Sequence, residues 1–334
     1  MAKIVLGIGT SHGPMLSTPP DQWGQRVAAD KRNPEHWYKG KAYTFDQLVA
    51  MRSSEHLDAQ ITQKVWNDRH AACRRAIGKL ADIFAEEKPD VAVIVGNDQM
   101  EMFDDDLIPA MSVYRGETIP NAFPTEEEIA KMPPGIPIAI PGHIPPQGAT
   151  YPGLPDLAKH IIEGAIAEQF DVTSMAKLPA GVEHIPHAFG FVFRNIMNDH
   201  AIPTVPVVLN TFYPPNQPSV GRCYAFGKSL LRAIQSWKSD ARVALIASGG
   251  LTHFVIDEEV DNAVMDALRR RSIENVAALG EPIFQAGTSE IKNWVPVAGA
   301  MADLGYEPNV IDYVPCYRSM AGTGNAMGFV YWKQ

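Results

Sequence analysis

The chain has little cysteine, and its few cysteines are not paired in any metal or redox motif. Its 334 residues include only Cys73, Cys223 and Cys316, which lie far apart and form no Cys-x-x-Cys pair. This spacing excludes a disulfide framework and a zinc site built from cysteines. It is typical of a protein from a reducing compartment, so we expect a cytoplasmic location.

Long basic runs and long apolar runs are also missing. Lys and Arg number 29 against 38 Asp and Glu, a formal net charge of -9, and the longest basic run is Arg269-Arg270-Arg271. Such a chain is not expected to bind nucleic acid or an anionic membrane. No segment approaches the ~18 apolar residues of a membrane helix, and the run at 4–9 is too short for a signal peptide. The expected partners are a small molecule and a second copy of the chain.

Short apolar runs rich in β-branched residues alternate with segments of helical periodicity. The runs predict buried parallel strands at 4–9, 91–96, 205–210 and 243–248. The helical segments lie at roughly 62–87, 154–170, 188–199, 221–237, 257–271 and 290–304. This alternation predicts an α/β fold, with one large domain over residues 1–334 and a mostly parallel central sheet covered by helices on both faces.

Two stretches interrupt this alternation. Residues 17–50 are polar and aromatic, and residues 103–151 are rich in proline with few helical signals. Long irregular segments in a compact domain are often functional. We expect both to be loop insertions that form a lid over the ligand site.

Polar side chains follow the predicted strands, where ligands bind to a parallel sheet. The residues concerned are His12, the polar cluster 97–101, His253 and, at the start of a predicted helix, Glu290. One carboxylate and two or three histidines suit a mononuclear metal site of the kind that non-heme Fe(II) oxygenases use. The alternative is structural, with the histidines capping loops and Glu290 complementing a helix dipole.

Two further histidines, His184 and His187, stand at the entrance of the apolar segment 188–199. Either side chain suits a metal ligand, a substrate hydrogen-bond donor or a structural cap. The remaining histidines are expected to be solvated (His36, His143, His200), structural (His160) or candidate ligands held in reserve (His56, His70).

A series of motifs runs in order along most of the chain. It comprises Gly-Thr-Ser-His-Gly-Pro-Met at 9–15, Val-Gly-Asn-Asp at 95–98, the segments 153–160 and 170–173, Glu-His at 183–184, the segments 211–215 and 221–227, Gly-Gly-Leu-Thr-His at 249–253, and Glu290 four residues before Trp294. In these motifs the chain resembles the class III extradiol ring-cleaving dioxygenases. The resemblance is to the catalytic β subunit of protocatechuate 4,5-dioxygenase and to members that act on gallate or its O-methyl ether.

The resemblance implies an Fe(II) ion held by two histidines and a glutamate. The first histidine falls on His12 and the glutamate on Glu290, whereas the second histidine falls on Gln99. Three explanations are open. Gln99 binds iron through its amide oxygen, another histidine such as His56 or His70 takes the place, or iron binds poorly and the activity has changed.

The resemblance also implies roles in the reaction, in which O2 cleaves the ring of a catechol beside its two hydroxyls. His253 falls on the acid–base histidine, His184 on a histidine that lines the substrate pocket, and Thr323 on a hydroxyl residue that meets the substrate. We expect His187 to contact the substrate as well.

The expected substrate is a catechol carrying a carboxylate or a methoxy group. Arg222, Lys292 and Arg318 are candidates to pair such a carboxylate, or are surface charges. Because the insertions can cover the pocket in place of a small α subunit, we expect a homodimer. Two alternatives come from other functional classes: the same scaffold with zinc or another metal and a non-oxidative reaction, and a binding subunit without catalysis.

Overall fold

The strands of the protein form one nine-stranded mixed sheet and two short hairpins. The computed structural model describes residues 1–334. The strands are β1 Lys3–Thr10, β2 His36–Tyr38, β3 Lys41–Tyr43, β4 Val91–Asn97, β5 Met111–Tyr114, β6 Thr118–Asn121, β7 Ala149–Pro152, β8 Thr173–Met175, β9 Thr204–Leu209, β10 Arg242–Ser248, β11 His253–Val255, β12 Glu307–Tyr317 and β13 Thr323–Lys333.

Helices connect most of these strands. They are α1 Val27–Arg32, α2 Phe45–Met51, α3 Gln63–Glu87, α4 Glu126–Lys131, α5 Pro155–Ala167, α6 His187–Phe191, α7 Val220–Ser236, α8 Glu258–Arg269 and α9 Ile291–Asp303. Short 3-10 turns join several of them, and a π-helical turn continues α6 at Val192–Ile196. No helix combines the length and the apolar character that a membrane crossing requires.

The central sheet is parallel in its middle and antiparallel towards its edges. Its order is β11-β13-β1-β10-β4-β9-β5-β8, with β12 also paired to β13. The neighbours β1, β10, β4 and β9 are parallel, and they are the four strands predicted from the apolar runs. The antiparallel pairs of β13 with β1 and of β5 with β9 make the sheet mixed.

Helices cover both faces of the sheet, as the apolar runs predict. In β4, Val91, Val93 and Val95 pack with α5, α7 and α9 on one face. Ala92 and Ile94 of the same strand pack with α3 and α6 on the other face. A strand buried on both faces has no polar side, which is why its sequence is continuously apolar.

The two predicted insertions contain more regular structure than expected. Residues 17–50 include α1, α2 and the hairpin of β2 and β3. The prediction that 103–151 is irregular is wrong for Met111–Tyr114, because this buried segment pairs with β9 and β8 and so belongs to the central sheet. The segment between α4 and β7 covers the carboxyl ends of the parallel strands.

Candidate active site

Four segments bring polar side chains to the carboxyl end of the parallel strands. His12 lies just beyond β1 and Gln99 just beyond β4, while His253 follows the glycine pair after β10. Glu290 directly precedes α9. Because β1, β10 and β4 are parallel neighbours, residues that follow them meet at one edge of the sheet.

His12 presents an unpartnered nitrogen to a buried carboxylate. The Ser248 hydroxyl donates its hydrogen to the Ala188 carbonyl at 2.6 Å, so its oxygen accepts from Nδ1 of His12 at 2.9 Å. The proton of His12 is therefore on Nδ1, and burial lowers the pKa of this ring. Nε2 of His12 has no hydrogen-bond partner and lies 3.1 Å from Oε2 of Glu290. A lone pair facing a carboxylate in a buried site is the arrangement that a cation would complete.

The second imidazole at the site belongs to His187, the first residue of α6. Its Nδ1 donates to Oε2 of Glu101 at 2.6 Å, and its backbone N–H donates to the other carboxylate oxygen at 3.0 Å. The rings of His187 and His12 meet edge to face, with centroids 4.6 Å apart. Ligand atoms of His12, His187 and Glu290 all lie within 4.8 Å of one another. These three side chains could hold a metal ion.

The Glu101 carboxylate fixes the orientation and the charge of His187. Burial alone would lower the pKa of His187, but the charge of Glu101 outweighs this and raises the pKa to about 9. Burial alone would raise the pKa of Glu101, and His187 instead lowers it to about 2. A carboxylate that holds one ring nitrogen leaves the other nitrogen directed at the site, which is how most metal-binding histidines are oriented.

Glu290 is fully buried and receives hydrogen bonds at both oxygens. Gln99 donates from Nε2 to Oε1 at 2.6 Å, and Asn97 donates from Nδ2 to the same oxygen at 3.2 Å. The backbone N–H of Gly250 donates to Oε2 at 2.7 Å. Burial would raise the pKa of Glu290, but protonation of the neighbouring His253 or His12 holds it well below its usual value. Glu290 is therefore an ionised carboxylate at the centre of the site.

His253 directs one nitrogen at this carboxylate. Its Nδ1 donates to the Leu251 carbonyl at 2.8 Å, and its Nε2 lies 3.4 Å from Oε1 of Glu290. The ring is buried and lines the same cavity as His12. The backbone contact fixes the ring and leaves Nε2 as the atom available to a ligand.

A cavity of about 410 Å³ opens beside these side chains. Its size falls in the usual range for sites that bind small molecules. Both insertions contribute to its walls, so the prediction that they cover the ligand site agrees with the structure. The insertion residues at the cavity are Ser17, Arg26, Pro124, Met132, Pro133, Ile136, Ala139, Ile140, Gly142, His143 and Ile144.

Comparisons with known proteins place the chain in a family. Residues 58–327 match the model of the catalytic LigB subunit of aromatic ring-opening dioxygenase. The chain belongs to this family. The matched range includes Gln99, His187, His253 and Glu290, whereas His12 precedes it.

One curated relative matches a smaller part of the chain. It is a gallate dioxygenase of Pseudomonas putida, 31% identical over 121 residues, which make up 35% of this chain and 33% of the relative. The match therefore spans about a third of that enzyme. Among solved structures, an uncharacterized protein of Escherichia coli K12 covers 77% of this chain and 91% of its own, at 16% identity and a TM-score of 0.48.

Not all of the predicted site residues lie at the cavity of this LigB-family chain. His12, Gln99, His184, His187, His253 and Glu290 all line it. Thr323 does not, because its buried hydroxyl donates to Asp30 at 2.6 Å, and the nearby Asn325 lines the cavity instead. His56 ends a surface turn, and His70 packs against Trp23, so neither replaces the second histidine. His187 is the imidazole whose ligand atom lies within 4.8 Å of those of both His12 and Glu290.

The three predicted carboxylate-pairing cations also lie elsewhere. Arg222 covers the Phe170 ring at 4.1 Å on the outside of the protein. Lys292 pairs with Glu281 at 2.9 Å, and Arg318 pairs with Asp30. None of the three lines the cavity.

Sequence reasoning missed three side chains at the site. The expectation that His143 is solvated is wrong, because its ring lies in the cavity, 6.0 Å from that of His187. His36 is also not solvated, since it is buried against the Asp30 carbonyl. No role at the site is predicted from the sequence for Glu101 or Arg26. The position of Glu101 in the polar cluster 97–101 was the available signal for it.

Proposed function

We propose that the protein is an Fe(II)-dependent extradiol dioxygenase that opens the ring of a catechol. The proposed substrate carries a carboxylate or a methoxy group, and O2 is the second substrate. The observation that carries this proposal is the meeting of His12, His187 and Glu290 beside a cavity that fits one aromatic ring. Membership of the LigB family supports the same class of reaction.

The side chains at the sheet end fit the metal that the proposal needs. Two imidazoles and one carboxylate are the ligand set of non-heme Fe(II) oxygenases. Nε2 of His12 is buried and unpartnered, and Glu101 orients His187 from behind. Fe(II) bound by these groups would bind the two diol oxygens and activate O2. We assign Gln99 the role of a hydrogen-bond donor to Glu290, in place of the ligand role expected for it.

His253 is the proposed acid–base group. Its Nδ1 proton is held by the Leu251 carbonyl, so Nε2 is free to take a proton from a substrate hydroxyl and later return it. His184 lines the cavity and is proposed to contact the substrate by a hydrogen bond. The carbon–carbon bond beside the diol is broken, and both atoms of O2 enter the ring-opened product, so no external reductant is required.

Oxygen uptake tests the proposal. The protein is reconstituted with Fe(II) under anaerobic conditions, its iron content is measured, and a panel of catechols with and without carboxylate or methoxy groups is added with O2. We expect one mole of O2 consumed per mole of catechol, with the absorbance of a ring-opened product. No uptake with any catechol, in protein that holds iron, would contradict the proposal.

A zinc enzyme acting without O2 is the second candidate. The observation that favours it is Gln99, which stands where the resemblance implies a histidine ligand. Such an enzyme would retain zinc through purification and would turn over under anaerobic conditions. Elemental analysis combined with an anaerobic assay separates it from the iron enzyme.

We also propose that the protein is a cytoplasmic homodimer. Its two insertions contribute to the cavity wall, which supports a homodimer that needs no separate α subunit. The three cysteines are free and buried, which supports a reducing cytoplasm. Light scattering on the purified protein tests the dimer: the mass of a dimer is expected, and that of a monomer would contradict it.

A further inference from the structure

One partly buried cation at the cavity has no ion-pair partner. Arg26 ends the 3-10 turn Pro20–Arg26 in the first insertion, and its side chain lines the cavity. Its Nε and Nη1 atoms are buried and have no hydrogen-bond acceptor. A guanidinium has five N–H donors, and leaving them unpaired away from water is unfavourable.

The carboxylate that acts on Arg26 is that of Asp30, and it already pairs with another arginine. Asp30 accepts from Nε and Nη2 of Arg318 at 2.7 and 2.8 Å. It also accepts the Thr323 hydroxyl at 2.6 Å. Two guanidinium groups therefore share one carboxylate, which leaves one positive charge in excess at this wall.

The charges that act on Arg26 are those of Arg318 and Asp30. Burial and the repulsion from Arg318 lower the pKa of Arg26 to about 10, which still leaves it charged at neutral pH. The carboxylates of Glu101 and Glu290 belong to the sheet end, where histidines surround them. Asp30 is therefore the carboxylate that acts on Arg26, and Arg318 already pairs with it.

We propose that Arg26 binds the carboxylate of an aromatic substrate. A guanidinium binds a carboxylate through charge-assisted hydrogen bonds, and Nε and Nη1 of Arg26 are two buried donors without an acceptor. Nearby side chains of the cavity such as Met132 and Ile136 are apolar and suit the ring. The inference rests on the proposed function for the identity of the ring, and it makes carboxylated catechols the preferred class over methoxylated ones.

Calorimetry under anaerobic conditions tests this inference without turnover. Protein reconstituted with Fe(II) is titrated with 3,4-dihydroxybenzoate and with catechol, which differ only in the carboxylate. We expect the wild type to bind the carboxylated ligand more tightly. Arg26→Met should weaken its binding about 10- to 100-fold, the range of a lost charge-assisted hydrogen bond, and should leave catechol binding within about threefold.

Two further variants keep the result interpretable. Arg222→Met, an arginine outside the cavity, serves as the matched control and should change neither affinity. Arg26→Lys keeps the charge but not the fork, and an intermediate loss is expected for it. Removing an unpaired charge should not lower the melting temperature of Arg26→Met, so a folding failure of this variant would indicate a structural role and contradict the inference.

The outcomes separate this inference from the proposed function. An equal loss for both ligands, or no loss for the carboxylated one, would overturn the role of Arg26. If the carboxylate preference exists and disappears in Arg26→Met while no catechol consumes O2, the binding role stands and the dioxygenase proposal fails.

Discussion

Two walls of the cavity each contain a polar group without a hydrogen-bond partner: an acceptor at one wall and donors at the other. At the sheet end, Nε2 of His12 is an acceptor without a hydrogen-bond partner that lies 3.1 Å from the carboxylate of Glu290. At the insertion wall, Arg26 is a donor with no acceptor. Buried polar groups are nearly always paired, so each wall indicates a missing partner of opposite sign. The sheet end suits a cation, and the insertion wall suits an anion.

The two walls also differ in how firmly they are built. The sheet-end side chains are held by donors from β4, from the glycine pair after β10 and from the start of α9. The insertion wall rests on short helices and 3-10 turns. We therefore assign the chemistry to the sheet end and the recognition of the substrate to the insertions.

Removing the central carboxylate should have the largest effect. Glu290→Gln keeps the size of the side chain but loses the charge that would pair with a cation. We expect iron affinity to fall by about 100-fold or more. Mutating a residue that only orients a metal ligand already lowers metal affinity by up to about 100-fold. Glu259→Gln, which changes an exposed glutamate of α8, is the control and should bind iron normally. Normal iron binding by Glu290→Gln would contradict the assignment of the metal site to the sheet end.

Glu101→Gln tests the partner that orients His187. Iron affinity should fall by about 10- to 100-fold. In the metal-free protein the pKa of His187 should fall from its value of about 9, because the carboxylate that raises it is gone. Nuclear magnetic resonance titration of the histidines measures this change, and a His187 pKa that stays near 9 would contradict the assignment.

The same pair makes a pH-dependent contribution to stability. The raised pKa of His187 contributes fully below its usual 6.5, and this contribution is lost as the pH rises to about 9. The lowered pKa of Glu101 contributes fully above its usual 4.5, and this is lost as the pH falls to about 2. The free energy of unfolding of metal-free wild type should exceed that of Glu101→Gln by roughly 2 kcal/mol between these limits, at pH 4.5–6.5. A difference that grows above pH 9 would have the wrong sign.

A methyl group added at Gly250 tests the position of His253. Its Cβ would overlap Cε1 and Nδ1 of His253, so the ring has to move. We expect kcat to fall by up to about 100-fold, because a catalytic group is displaced, while the fold is retained. Gly78→Ala on α3 is the matched control: nothing lies near its Cβ, and a gain of up to about 1 kcal/mol in stability is expected. Equal kcat values for the two variants would contradict the role of His253.

Much of the fold could be predicted because it depends on local patterns. The four central strands are continuous apolar runs, and the helices between them have clear periodicity. His12 and Glu290 could be predicted as site residues because the carboxyl ends of neighbouring parallel strands meet. These inferences need only the order of elements along the chain.

The rest of the site depends on contacts between distant segments. Glu101 and His187 lie 86 positions apart in the sequence, and no pattern predicts that the start of a five-residue helix meets the end of β4. Thr323 bonds to Asp30 of the first insertion, so its use as a substrate contact could not be judged without that insertion. The lack of a hydrogen-bond partner for Arg26 also depends on how distant segments pack, so it could not be predicted from the sequence.

We expect His187, and not Gln99, to supply the second metal-binding group beside His12 and Glu290. The most direct test compares the iron content and iron affinity of His187→Ala and Gln99→Ala after anaerobic reconstitution. We expect His187→Ala to lose iron as completely as His12→Ala does, and Gln99→Ala to retain it with a moderate loss of affinity. Iron retained by His187→Ala and lost from Gln99→Ala would contradict the assignment of His187 as a ligand and would make the amide of Gln99 the ligand.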